Sequence, residues 1–186
     1  MNPRHGPRPG GRSARIQEAV HCAVRELEDE LGRDALTVPL VAERAEVTPS
    51  TIYRRWGTLR ELLSDVAVER LRPDAEPRDY QNLRADLIDW ARQLDEELAS
   101  PSGGMYLRDA LEGDPANAGA CSAYAANDVD LILDRARSRD EVVPDQENVL
   151  DQIVAPILYR ILFRPDRRPD IARLVDVCLT AVEYDR

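Results

Sequence analysis

Residues 48–51, Thr-Pro-Ser-Thr, place three short hydroxyl side chains and a proline on consecutive positions, and Tyr53, Arg54 and Arg55 follow within two helical turns. Hydroxyls this short can hydrogen-bond a base edge in the major groove or touch a thymine methyl, and Pro49 offers an apolar contact. Tyrosine and arginine one to two turns further on suit the phosphates that flank the groove. From Val47 to Arg60 there are three arginines and no acid, although the whole chain has a net charge of −10. Clearing carboxylates from one segment removes repulsion with a phosphate backbone. These residues suit recognition of double-stranded DNA, with Thr48, Pro49, Ser50 and Thr51 against bases and Tyr53, Arg54 and Arg55 against phosphates.

Other chemistries find little support. The three cysteines, Cys22, Cys121 and Cys178, are far apart, and the two histidines are His5 and His21. That is no disulfide framework and no metal-ligand spacing, so neither metal nor cofactor is expected. No nucleophile–base pair and no glycine-rich phosphate loop stands out, which argues against an enzyme. The longest apolar stretch, 153–163, is interrupted by Pro156 and Arg160 and is too short to span a bilayer. The basic N-terminus is followed by no apolar core that would make it a signal peptide. A cytoplasmic protein is expected, without membrane partners.

The elements that must position residues 48–55 are helices. After an arm over residues 1–12 with Arg4, Arg8 and Arg12, apolar residues Ile16, Val20, Ala23, Val24 and Leu27 recur at helical spacing until Gly32. Thr37 can cap a short helix to about Ala45. Thr48 followed by Pro49 is a second start signal, Gly57 a stop, and Thr58 the cap of a longer helix. Two short helices joined by a tight turn at Glu46–Val47 form the helix-turn-helix pattern. The remainder reads as helices over 80–98, 105–112, 115–138, 145–163 and 168–184, with "SPSGG" at 100–104 as a break. The fold class is all-α. The expected divisions are an arm (1–12), a DNA-binding domain (13–57), a connecting helix and linker (58–78) and a second domain (79–186).

Charge divides along the same line. Residues 1–72 hold 12 arginines and 11 acids, whereas residues 73–186 hold 13 arginines and 24 acids. Two halves with such different electrostatics suggest two partners.

"LTVPLVAERAEVTPSTIYRRWGTLRELL" (36–63) resembles the DNA-binding segment of the tetracycline-repressor (TetR) family of bacterial transcriptional regulators. The pattern lies on Thr37, Ala42, Ala45, Val47, Thr48, Ser50, Thr51, Tyr53, Arg54, Trp56, Leu62 and Leu63, and "APILYRILF" (155–163) resembles a late helix of many members. Three positions depart from it. Glu46 stands where glycine is common, Arg55 where histidine or tyrosine is frequent, and Leu59 where a phosphate-binding lysine is frequent. The resemblance implies that Thr37 and Arg60 join Tyr53, Arg54 and Arg55 at phosphates, and that Trp56 anchors the recognition helix to its successor. It implies a homodimer on a near-palindromic operator, pairing through the last two helices, where Ile153, Ile157, Ile161, Leu174, Val177, Cys178 and Ala181 form apolar stripes.

The resemblance also implies a second domain holding a small-molecule effector. Candidate lining residues are Trp90, Leu94, Met105, Tyr106, Cys121 and Tyr124, which combine aromatic surface with polar tips. Arg160, alone in an apolar run, reads either as an ion-pair partner or as the anchor of an acidic ligand. The acidity of this half favours a neutral or cationic effector. The expected function is that of a ligand-released repressor; an all-α ligand-binding protein or a helical interaction module are the alternatives.

Overall fold

The structure, a computed structural model, describes residues 11–184, and side chains as far as Thr180. Arg4 and Arg8 of the arm therefore lie outside the described residues. Helices are joined by turns, and no strand occurs among the described residues. The chain divides into two compact units at Val66 and Ala67.

The first unit is built from α1 (Arg12–Leu31), α2 (Val38–Arg44), α3 (Pro49–Trp56) and the beginning of α4 (Leu59–Arg70). Val20, Val24, Val41, Ile52 and Leu62 are completely buried at its centre, which explains why helices as short as α2 and α3 hold their shape. Their ends are set by local chemistry. The Thr37 hydroxyl accepts from the Leu40 amide at 3.4 Å. Thr58 and Glu61 form a reciprocal capping box: the Thr58 amide donates to Glu61 Oε2 at 2.8 Å and the Glu61 amide to Thr58 Oγ1 at 3.2 Å. Gly57, at φ 79°, turns the chain between α3 and α4, and a Cβ there would meet the Glu61 carboxylate. Arg44, at the end of α2, reaches both Glu26 and Glu30 of α1.

The second unit has α5 (Leu83–Ala99) at its centre, packed against α6 (Pro101–Glu112), α7 (Pro115–Ser138) and two later helices, α9 (Ala155–Phe163) and α10 (Ile171–Tyr184). Between α7 and α9, a single turn α8 (Gln146–Val149) runs through a π-helical segment, Leu150–Val154, into α9. Pro156 accounts for the irregularity. It has no amide proton and its ring crowds the carbonyl four residues back, so a wider turn precedes it. "SPSGG" is a start signal as well as a break, and the helix expected from residue 105 begins at Pro101. Ser100 caps it through the Gly103 amide at 2.9 Å, and a Cβ on Gly103 would run into the Glu97 carbonyl oxygen.

The stripes assigned to dimerisation need correction. Ile153, Ile157 and Ile161, with Cys178, are buried in the core of their own chain, so they have no surface to offer a second copy. The i, i+4, i+8 spacing marks the inner face of this helical run. Leu174 is half-buried and Val177 exposed, while Ala181 lies beyond the described side chains. Among the described side chains of α9 and α10, the exposed large apolar residues are Tyr159, Phe163 and Val177, and the rings of Tyr159 and Phe163 lie 5.4 Å apart. Because Ile157 is fully enclosed, Ile157→Ala is expected to cost about 2–5 kcal/mol of unfolding free energy in urea titration at fixed protein concentration, whereas Val177→Ala at the exposed position is expected to cost under about 0.5 kcal/mol.

Candidate nucleic-acid interface

The turn between α2 and α3 exists because Glu46 takes a left-handed conformation, φ 53°, letting the Val47 amide reach back to the Ala42 carbonyl at 2.9 Å. A residue other than glycine there costs on the order of 1 kcal/mol. In return, α3 starts with its first residues outside the core: Thr48, Pro49 and Ser50 are exposed and Thr51 half-buried.

Thr48 stands at the N-cap, but its hydroxyl caps no amide. It bonds instead to Ser50 Oγ at 2.9 Å and Thr51 Oγ1 at 3.0 Å. The three hydroxyls thus form a connected group at the exposed end of the helix. Further along, Tyr53 and Arg54 are exposed on α3, and Arg60 is exposed on α4. The Arg54 and Arg60 guanidiniums have no protein partner among the described residues. Arg12 and Arg15, in the first turn of α1, border a shallow surface shared with Ala45–Val47 and add two cations to this side. Thr37 is exposed and its hydroxyl serves as the α2 cap.

Arg55 is exposed, and its guanidinium is already engaged within the unit. Its guanidinium donates to the Ser13 carbonyl at 2.9 Å, to Ser13 Oγ at 2.8 Å and to Gln17 Oε1, and lies 5.0 Å from the Trp56 ring centroid. It fastens the end of α3 to the start of α1.

Beside it, Asp65 Oδ2 on α4 accepts from His21 Nε2 at 2.9 Å, Trp56 Nε1 at 2.7 Å and Gln17 Nε2 at 3.2 Å. A carboxylate can only accept, so the Nε2 of His21 carries the proton in this pairing. Burial alone pushes the Asp65 carboxyl up, but the hydrogen bonds from His21 and Trp56, with the charges of His21 and Arg55, outweigh it and hold the group below its ordinary range. Sequence reading anticipates Trp56 as an anchor and overlooks Asp65, Gln17 and His21. The available signal is that Gln17 and His21, four residues apart on α1, are polar positions flanking the buried stripe of Val20 and Val24.

In the second unit the candidate ligand residues differ in burial and in partners. Trp90 is buried and its Nε1 donates to Asp128 at 3.2 Å. Burial pushes the Asp128 carboxyl up despite that bond. Leu94, Met105, Cys121 and Tyr124 are half-buried, and the ring of Tyr106 lies 5.6 Å beneath the Arg70 guanidinium. Of the seven, Arg160 borders a cleft of about 180 Å³ near the ends of α5 and α9. No group of three or more metal-ligating side chains occurs among the described residues, and no described helix is long and apolar enough to cross a membrane.

A short helix-turn-helix with exposed hydroxyls at the start of its second helix, joined to an all-helical second unit, defines a class of regulatory proteins. The family model described as "Bacterial regulatory proteins, tetR family" matches residues 23–66, and "Tetracyclin repressor-like, C-terminal domain" matches residues 77–178, over half the chain. The chain belongs to the TetR family of HTH-type transcriptional regulators.

Among relatives, the HTH-type transcriptional regulator Rv1556 of Mycobacterium tuberculosis is 38% identical over 80 residues, which are 43% of this chain and 39% of that protein. AqdR of Rhodococcus erythropolis is 32% identical across 58% of this chain and 52% of its own length. The chain thus spans about two fifths to one half of these relatives. YdeS of Bacillus subtilis is 25% identical across 82% of this chain and 81% of its own. Among solved structures, the TetR family regulator SCO0332 superposes with a TM-score of 0.60 at 25% identity, covering 90% of this chain and 97% of that one. Thermus thermophilus FadR, a TetR family transcriptional repressor in complex with lauroyl-CoA, superposes at 0.58 with 19% identity, covering 90% and 93%.

The lowered Asp65 pKa has a measurable consequence. The contribution of Asp65 to stability is complete above about pH 4 and is lost as pH falls through its lowered value. Asp65→Asn is therefore expected to be less stable than the parent in urea at pH 7, with the difference shrinking as the pH is taken below about 4.

Proposed function

We propose that this chain is a repressor that binds a near-palindromic DNA operator as a homodimer and is released by a small-molecule effector. The observation that carries the DNA half of this reading is the exposed Thr48–Ser50–Thr51 hydroxyl group, followed by Tyr53 and the unpartnered Arg54 on a helix without a single acid. Base edges are reached from the first turn of a recognition helix and phosphates from its flanks. Arg12, Arg15 and Arg60 extend the cationic surface beyond α3.

One helix-turn-helix reads few base pairs, so specificity calls for two heads on one site. Tyr159, Phe163 and Val177, exposed on α9 and α10, supply the apolar face for that pairing, with Leu174 beside them. The effector half of the proposal draws on the shared fold, which in the Thermus thermophilus repressor is found with lauroyl-CoA. For release, the effector must bind better to the conformation that does not hold the operator.

Affinity for the promoter DNA of its own gene, measured by fluorescence anisotropy across a salt series, is expected to fall as salt rises. Arg54→Ala is expected to weaken binding and to reduce the slope of log affinity against log salt by about one per half-site, while Tyr53→Ala weakens binding as well. Salt-insensitive binding, or none, counts against the proposal. Light scattering is expected to give twice the 20.9 kDa chain mass, and Phe163→Asp is expected to yield monomers with much weaker DNA binding. A wild-type monomer at micromolar concentration would defeat the pairing.

A further inference from the structure

The cleft near the ends of α5 and α9 reverses the charge of its surroundings. Residues 73–186 carry 11 more acids than arginines, yet the cleft is lined by four arginines, Arg108, Arg160, Arg167 and Arg168, and by one acid, Asp95. Like charges gathered in one concavity repel, unless an anion is there to meet them.

The arginines are not equivalent. Arg168 is engaged with Asp95 Oδ2 at 2.8 Å and donates to the Asp95 backbone carbonyl at 3.4 Å. Arg108 Nη1 donates to the Gly104 carbonyl at 3.0 Å. The guanidiniums of Arg160 and Arg167 have no protein partner among the described residues. Planar guanidinium groups of this kind donate paired hydrogen bonds to carboxylates.

Asp95 supplies a second, independent feature. It is 6% exposed, and while Oδ2 holds Arg168, Oδ1 is buried without a hydrogen bond. A buried carboxylate oxygen lacking a donor is costly, and because Asp95 lines the cleft, a small turn of its carboxyl toward the opening would let a donor on a ligand satisfy it. The first turn of α6, through Pro101 and Gly104, also borders the cleft and adds the positive end of a helix dipole.

We propose that this cleft binds a compact dicarboxylate that also carries a hydroxyl or ammonium group. Its two carboxylates meet Arg160 and Arg167, and its donor meets the Asp95 carboxylate, turned toward the cleft. The volume of about 180 Å³ is near six times the share of one water in the liquid and below the range of drug-sized pockets, so the fit is to an acid of a few carbons. The inference rests on reading the second unit as the effector-binding half. It also replaces the sequence expectation of a neutral or cationic effector, because the net charge of a whole half says little about one cleft within it.

Isothermal titration calorimetry of the full-length protein without DNA, using L-malate, L-aspartate, succinate and inorganic phosphate, tests the proposal. Malate or aspartate is expected to bind at least about tenfold more tightly than succinate, which lacks the donor. Phosphate is expected to bind more weakly than either. Arg160→Gln and Arg167→Gln are each expected to weaken malate and aspartate at least about tenfold, with circular dichroism and melting temperature unchanged. The proposal is overturned by no binding of malate or aspartate at millimolar concentration, by equal affinity for succinate or phosphate, or by Arg160→Gln binding as the parent does. Saturable binding that leaves promoter affinity unchanged upholds the site and removes the effector from the proposed function. Failure of the unliganded protein to bind DNA would strike the proposed function and leave the cleft untouched.

Discussion

Three helices of the first unit meet at one oxygen. Asp65 Oδ2 on α4 collects the His21 and Gln17 side chains of α1 and the Trp56 indole of α3. A recognition helix of eight residues cannot persist alone in water, because nucleating a helix is unfavourable and so short a piece recovers little. Its direction must be imposed from outside. Ile52 and Trp56 provide the apolar contact, and the Asp65 junction adds directional bonds that apolar contact lacks. Arg55 completes the fastening through Ser13 and Gln17. The exposed arginine next to it, Arg54, is left to face solvent.

Much of this architecture is legible in the residues. Thr37, Thr48–Pro49, Gly57 and Thr58 mark helix boundaries because each satisfies or tolerates a specific backbone condition at a helix end. Local conditions of that kind can be read from neighbours along the chain. The Asp65 junction cannot, since its two α1 partners lie 44 and 48 residues away and nothing in periodicity announces which polar side chains will face one another. The partners of Arg55 are hidden for the same reason. An arginine at the end of a basic helix suits a phosphate and an intrachain acceptor equally well, and only the position of α1 supplies Ser13 and Gln17.

The second unit shows the complementary failure. Ile153, Ile157 and Ile161 announce an apolar stripe, and the spacing is correct, but periodicity names a buried face without naming what buries it. Here it is the same chain's own core. The cleft around Arg160 was foreshadowed by one arginine out of place in an apolar run, while Arg167, Arg168 and Asp95 converge on it only through folding. The loop "RPDRRP" reads as a polar connection in sequence, and its position gives two of those arginines a local purpose.

The hydroxyl group at the start of α3 bears on how discrimination among DNA sequences would arise. Thr48, Ser50 and Thr51 share two hydrogen bonds among three hydroxyls, so at least one proton and several lone pairs stay open to a base edge. A base edge that offered them no partner would leave a polar group unpaired in a dehydrated groove, a larger penalty than the gain from a matching bond. Selectivity built in this way would work by rejection. The three hydroxyl protons can also rotate, so the same surface can present donors or acceptors, and the family of tolerated sites is set by which rotor arrangements close without a gap.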